Sequence, residues 1–333
     1  MAGDHSKRVL LLGATGTIGR ATARALVERG HEVVCFLRPR HDQIDKAQPD
    51  AVAHSLAGAT LRFGDVTCAQ SLAEEGFRGE KFDVLLSCMA SRTGIPADAW
   101  AIDHDAHATA LGAAASAGIG HFILLSAICV QKPRLAFQHA KLAFENELVK
   151  SGLTYSIVRP TAFFKSLSGQ VDRIRKGKPF LLFGDGNLTA CKPISADDLA
   201  RYLVDCIDDK RKHDRILPIG GPGHPITPRQ QGERLFSLLG RDPEFIHVPV
   251  RLLDTIIATL DGIGWLVPGL RKKAELARIG RYYATESMLV WDPKKEKYDA
   301  AATPSTGTDT LFEHYALLIS GQTDAERGEH AVF

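Results

Sequence analysis

The chain has 333 residues, 44% hydrophobic and 24% charged, a globular composition that excludes disorder as the default and leaves room for one large domain or two modest ones. Its 41 basic and 39 acidic side chains leave a net charge of +2, so no overall field recommends nucleic acid as a partner. Six cysteines lie mostly in apolar runs with no C-x-x-C pair, which fits free thiols in a reducing cytoplasm.

The amino terminus carries no apolar segment separate from the first strand pattern, so no export or organelle address is expected. "RVLLLGA" reads as a strand, "ATARALVERG" as a helix ending on Gly30, and "HEVVCFLR" as a second strand. "KFDVLLSCMA" and "HFILLSAICV" are two more strands, and "YSIVRPTAFF" follows. Strands this continuously apolar are covered on both faces, which predicts an α/β fold, a Rossmann-type doubly wound parallel sheet with crossover helices. The dinucleotide-binding unit is expected over 1–160 with a later contribution from about 190–220, a substrate-binding or lid region over 161–189 and 221–320, and a polar tail over 321–333. The apolar stretch "LLDTIIATLDGIGWLVPGL" from Leu252 is interrupted by Asp254, Asp261 and Pro268, whereas a spanning helix needs about 20 largely apolar residues. It reads as a buried or cleft-lining helix, with transient contact at a membrane surface as the lesser alternative.

The first strand runs directly into "GATGTIGRATARAL", which places Gly13, Gly16 and Gly19 at the turn and opening of the first helix. Gly13 permits the tight turn, Gly16 lets the backbone approach a pyrophosphate, and Gly19 allows close packing of helix on sheet. At the end of the second strand, where a carboxylate would bind the ribose of the non-phosphorylated dinucleotide, the chain has "CFLRPR". A guanidinium at Arg38, with Arg40 nearby, suits a 2′-phosphate, so the expected cofactor is NADPH.

On these motifs the chain resembles the extended or atypical short-chain dehydrogenases/reductases, in their isoflavone-reductase-like and NmrA-like groups. "GATGTIG" matches the dinucleotide loop, which implies cofactor contacts at Thr15, Thr17 and Ile18 as well as the glycines. "GDVT" matches the adenine-side turn with Asp65 and Val66, although Asp65 could equally cap a helix. "FILLSA" matches the strand bearing Ser126, and "IVRPTAFF" the strand whose end, Arg159 and Pro160, meets the nicotinamide. "KPISADDLA" matches a later strand-to-helix junction with Ser195 as N-cap. Over nearly the whole chain, "FQHAKLAFENEL", "VRPTAFFKSLSGQ" and "ESMLVWDPKKEKYDAAATPSTGTDTLFEHYALLISG" resemble the NADPH-dependent divinyl chlorophyllide 8-vinyl reductases in their short bacterial form.

That resemblance implies an oxidoreductase of (bacterio)chlorophyll biosynthesis acting on divinyl chlorophyllide or protochlorophyllide. Best-known members of the superfamily reduce carbonyls with a Y-x-x-x-K pair on one helical face, the tyrosine donating a proton to the alkoxide. Here the sequence is "FQHAK", and Phe137 donates no proton. Hydride attack on a vinyl group conjugated to a tetrapyrrole spreads charge over the ring and needs no phenolic donor at that point. Phe137 would then be an aromatic wall, and Lys141 would bind the nicotinamide ribose and deliver the proton directly or through water. Phe163, Phe164 and Trp265 are the candidate apolar walls for the tetrapyrrole, and Lys165, Arg173 or Lys176 would meet its propionate. Two alternatives stand beside this reading: another isoflavone-reductase-like reductase, and a non-catalytic NmrA-like NADP(H) sensor.

No metal is expected. His104 and His107, with Asp103 and Asp105, have a spacing that suits a metal, but they fall on the crossover helix before "HFILLSA", where surface histidines are the plainer reading. His139 is turned away from the Phe137–Lys141 face by helical geometry. The sequence holds no G-x-S-x-G and no Walker loop, so acyl transfer and nucleotide hydrolysis lose support.

Overall fold

The computed structural model describes residues 6–39, 54–264 and 268–323. Arg40 and Trp265 therefore lie outside the described residues. The sheet-forming strands are β1 (Arg8–Leu12), β2 (Glu32–Leu37), β3 (Thr60–Phe63), β4 (Val84–Ser87), β5 (His121–Leu125), β6 (Thr154–Pro160) and β8 (Arg215–Ile219). Together they make a seven-stranded sheet in the order β3-β2-β1-β4-β5-β6-β8, every pairing parallel. The order reverses between β1 and β4, which opens a crevice at their carboxyl ends, the usual ligand position in such sheets.

Alternation within β1 shows why the sheet has two cores. Val9 and Leu11 point into one cluster, with Leu26 of helix α1 (Thr17–Glu28) and Leu199, Leu203 and Val204 of the later helix α4 (Ala196–Asp208). Leu10 and Leu12 point into the other, with Ala110 and Ala114 of α2 (His107–Ser116) and Phe144 and Leu148 of α3 (Ala136–Lys150). The helix α4 starts at Ser195, whose Oγ accepts the Asp198 amide at 3.0 Å. Arg24 and Arg29, at the α1 end of the chain, pair with Asp197 and Asp205 of α4.

A third cluster unites Phe164, Val171, Ile174, Phe180 and Leu182 with Leu235, Phe236 and Tyr315. It contains the parallel pair β7 (Phe180–Phe183) and β9 (Phe245–Val248), separated in sequence by α4, β8 and helix α5 (Pro228–Leu238). The chain continues through helices α6 (Val250–Gly264) and α7 (Pro268–Thr285), the hairpin of β10 (Val290–Asp292) with β11 (Lys297–Asp299), and helix α8 (Leu311–Ser320), which ends on Gly321 in the left-handed region at φ 71°.

The expectation of burial for the apolar stretch from Leu252 needs correction. In α6 only Gly264 is buried, and Leu252, Ile256 and Ile263 stand outward, Leu252 at 49% exposure. The half-buried side chains Leu253, Ile257 and Leu260 recur at helical spacing, while Asp254 and Asp261 pair with Arg281 and Arg278 of α7. One stripe of the helix is covered and the opposite face is open, so the buried alternative of the sequence reading fails. Among the described residues no helix is long and apolar enough to cross a membrane.

Candidate functional site

The dinucleotide loop occupies the crevice at the carboxyl end of β1. Gly13 has φ +76°, and a Cβ there would lie 2.6 Å from the Cys88 carbonyl carbon, so the β1 turn and the segment after β4 approach as only glycine permits. A Cβ on Gly19 would drive into the Gly13 carbonyl. One on Gly16 meets nothing nearer than the Gly13 oxygen at 3.5 Å, and Gly16, the N-cap of α1, supplies no side-chain cap. Close packing below, open space above and an uncapped helix start fit a pyrophosphate held by backbone amides. Thr15 and Gly16 are exposed at this mouth, whereas Thr17 and Ile18 are half-buried.

Lys165, one of three basic residues expected near a propionate, donates from Nζ to Thr17 Oγ1 at 2.8 Å and so stands beside the dinucleotide loop. Arg173 donates instead to the Pro179 carbonyl at 2.7 Å, and Lys176 is exposed. Arg38 is exposed just beyond β2 and lies close enough to Asp65 to act on it electrostatically. The Asp65 carboxylate takes the Thr67 hydroxyl and amide at 2.7 and 2.9 Å, and these bonds, with a smaller contribution from Arg38, hold it below its usual range. Its Oδ1 therefore fastens the turn after β3, and Val66 packs against the second core cluster.

Ser126 and Arg159, at the ends of β5 and β6, meet through a residue the sequence reading missed. Glu145, buried on α3, accepts from Ser126 Oγ and takes Arg159 through both oxygens, Nε at 3.2 Å and Nη2 more closely. The available signal was its place four residues after Lys141, on the same helical face. Pro160 is buried at the strand end, opposite Ile219 of β8.

Lys141 is buried, and its Nζ lies 2.9 Å from Oδ1 of Asp103, a side chain with no exposed surface. The same oxygen accepts the Ser91 amide at 3.2 Å. Ser91 follows β4 closely, next to the Cys88 and Met89 backbone on which Gly13 rests, so the pair stands in the wall of the same crevice. Burial works to raise the Asp103 carboxyl, but the Lys141 ammonium and the Ser91 hydrogen bonds outweigh it and leave it below the usual range.

The histidines of "DHDAHATA" also need correction. His107 is fully buried, bonded to Ser87 Oγ at 2.9 Å and the Ile102 carbonyl at 2.8 Å, with its ring against Phe144. Burial, helped by the Lys141 charge, pushes its pKa down to about 4, so it is neutral at physiological pH. The cause of both surprises is a π-helical turn, Trp100–Ala106, ahead of α2. Its wider spacing swings Asp103 inward and leaves His104 beside Glu147 at 2.8 Å.

Phe137 is half-buried against a cluster that contains Ile128, Cys129, Leu135, Cys191, Tyr282 and Met288, with Gly94 beside its ring. His139 is exposed, on the far side of the helix. Phe163 is half-buried and pairs by its backbone with Ile194, whereas Phe164 turns into the third cluster and stacks near His314.

A family model described as NAD(P)H-binding matches residues 13–210. The divinyl chlorophyllide a 8-vinyl-reductase, chloroplastic, of Oryza sativa subsp. indica is 49% identical over 98% of this chain and 82% of that protein. Its namesake from Arabidopsis thaliana is 46% identical over 96% of this chain and 79% of its own length. Among solved structures, the binary complex of leucoanthocyanidin reductase with NADPH from Vitis vinifera superposes with a TM-score of 0.68 at 16% identity, covering 94% of this chain and 99% of that one, a likeness of fold. With its dinucleotide loop, its sheet and these relatives, the chain belongs to the NAD(P)H-binding family and, within it, to the divinyl chlorophyllide a 8-vinyl-reductases.

Proposed function

We propose that the protein reduces the 8-vinyl group of a divinyl chlorophyllide or protochlorophyllide to ethyl, with NADPH as the hydride source. The reading is carried by one juxtaposition: a buried Lys141 kept in the crevice wall while the residue one turn earlier, Phe137, has no hydroxyl. Bound NADPH supplies the hydride to one vinyl carbon; the other carbon takes a proton. Gly13, Gly16 and Gly19 shape the phosphate cradle, and Lys165 beside Thr17 adds positive charge on the phosphate side. Lys141 binds the ribose and is the proton source, directly or through water. Glu145 orients Ser126 and Arg159 at the strand ends. Phe137 and Phe163 supply apolar surface for the ring.

The α6–α7 pair exposes the apolar Leu252, Ile256 and Ile263 on α6 and the basic Arg271, Lys272 and Lys273 at the start of α7. That combination suits transient contact of a cytoplasmic enzyme with an anionic lipid surface. The deciding experiment incubates purified protein with NADPH and divinyl chlorophyllide and follows the Soret band. A blue shift is the expected result; tight NADPH binding with no spectral change would leave a dinucleotide sensor instead.

Two substitutions refine the reading. Arg38→Ala should weaken NADPH binding by roughly ten- to a hundredfold, through loss of a charge-assisted contact to the 2′-phosphate, and leave NADH nearly unchanged. Titration of both cofactors by fluorescence checks this, and equal losses for the two would remove Arg38 from the phosphate. Phe137→Tyr restores the missing hydroxyl and should keep vinyl reduction within about tenfold of wild type, because no alkoxide waits for that proton. A larger fall in turnover, at unchanged NADPH affinity, would mean that the ring itself sets the substrate geometry.

A further inference from the structure

We infer that Asp103 is the positioning residue for Lys141, holding the ammonium at the crevice wall so that its other hydrogens face the reaction. This rests on the role of Lys141 in vinyl reduction. Three observations converge on it. The two charged groups lie 2.9 Å apart, with side chains 10% and 0% exposed. The second carboxylate oxygen, Oδ2, is buried with no hydrogen-bond partner, so the Asp103 charge is answered at Oδ1, by Lys141 and the Ser91 amide. The residue reaches this place through a π-helical turn, an irregularity that departs from ordinary helical packing and recurs at functional sites.

Stability alone is a poor account of such a pair. Two buried charges are commonly replaced by well-packed apolar residues at no loss, so a buried pair beside a cofactor crevice points to orientation. Two further titratable groups lie within electrostatic reach of Lys141: His107, on the next helix, is already bonded to Ser87 and Ile102, and burial pushes the Cys129 thiol up and keeps it neutral, so neither competes for the ammonium. An ammonium has three donors. With one fixed on Asp103, the direction of the rest is set by the protein instead of by solvent, which is the geometric condition for delivering a proton to a chosen carbon.

Asp103→Asn keeps the shape and removes the charge. In the full-length enzyme it should lower kcat for vinyl reduction by about ten- to a hundredfold, the usual result of misplacing a reacting group by about 1 Å, while KM for the tetrapyrrole changes little. Wild-type kcat in the variant would overturn the inference. Lys141→Met and the double variant Asp103→Asn/Lys141→Met provide the second arm, which stays informative even if the single Asp103 variant folds poorly, because the double variant removes both charges together. Equal residual turnover in these two supports action of Asp103 through Lys141; a further loss in the double variant would show that Asp103 acts elsewhere and overturn the proposal. Failure of wild type to reduce divinyl chlorophyllide would sink the functional reading and the inference with it, whereas active wild type with an indifferent Asp103→Asn sinks the inference alone.

Discussion

Lys141→Ala is expected to lower turnover of divinyl chlorophyllide by about 10²–10⁴-fold, the range for loss of a general acid or base. The ammonium has two duties in the proposed reaction, binding the ribose and supplying the proton, and alanine performs neither. The change also strands the Asp103 carboxylate, which has no exposed surface to turn toward water. Removing one partner of a buried pair costs about 3–5 kcal/mol, so part of the effect will be a lowered melting temperature. Turnover must therefore be measured at a temperature where circular dichroism shows the variant folded. If folded Lys141→Ala reduced the substrate at the wild-type rate and bound NADPH as tightly, the lysine would be a structural partner of Asp103 and nothing more.

Glu145→Ala should destabilise the fold by about 3–5 kcal/mol in urea unfolding at neutral pH, as expected for removing one partner of a buried ion pair. The Glu145 side chain is 3% exposed and that of Arg159 16%, so the guanidinium has little access to water once its partner is gone. Ser126 Oγ loses its acceptor in the same step. Because Glu145 sits on α3 and its partners lie at the ends of β5 and β6, the damage falls on the joint that holds the Lys141 helix to the sheet. Glu145→Gln, which keeps an acceptor oxygen for Ser126, should cost less than Glu145→Ala. A loss below about 1 kcal/mol in the alanine variant would place this group among weakly contributing surface pairs and deny it that structural role.

Continuous apolar runs predicted a parallel sheet covered on both faces, and the glycine loop directly after the first strand pointed to the doubly wound form instead of a barrel. The glycine loop was legible for a similar reason: Gly13 and Gly19 meet backbone at distances no side chain survives, and such positions leave a mark in the sequence. Ser195 as a cap came with the resemblance of "KPISADDLA" to a strand-to-helix junction, and the Asp198 amide bonded to its Oγ bears it out. Asp103 was not legible. Reading "DHDAHATA" at regular helical spacing puts it beside surface histidines, and the π-helical turn that rotates it inward has no residue signature of its own. Glu145 looked like any charged residue on an amphipathic helix until the fold brought Ser126 and Arg159 against it. The α6 stretch misled in the other direction, since hydrophobicity reports a preference for cover and not the number of neighbours that the fold supplies.

The lateness of α4 and β8 has a consequence for synthesis on the ribosome. The apolar side of α1 is closed by Leu199, Leu203 and Val204, and β6 finds its outer neighbour only in Arg215–Ile219, after the chain has made a long excursion. Until these residues leave the exit tunnel, the nascent amino-terminal half carries an uncovered helix face and an unpaired strand edge, the two features that draw chaperones and invite aggregation. A stop placed before them would not release a smaller working dinucleotide-binding module. It would release a sheet with an open flank, so translation past this point and acquisition of a closed fold are a single event for this chain.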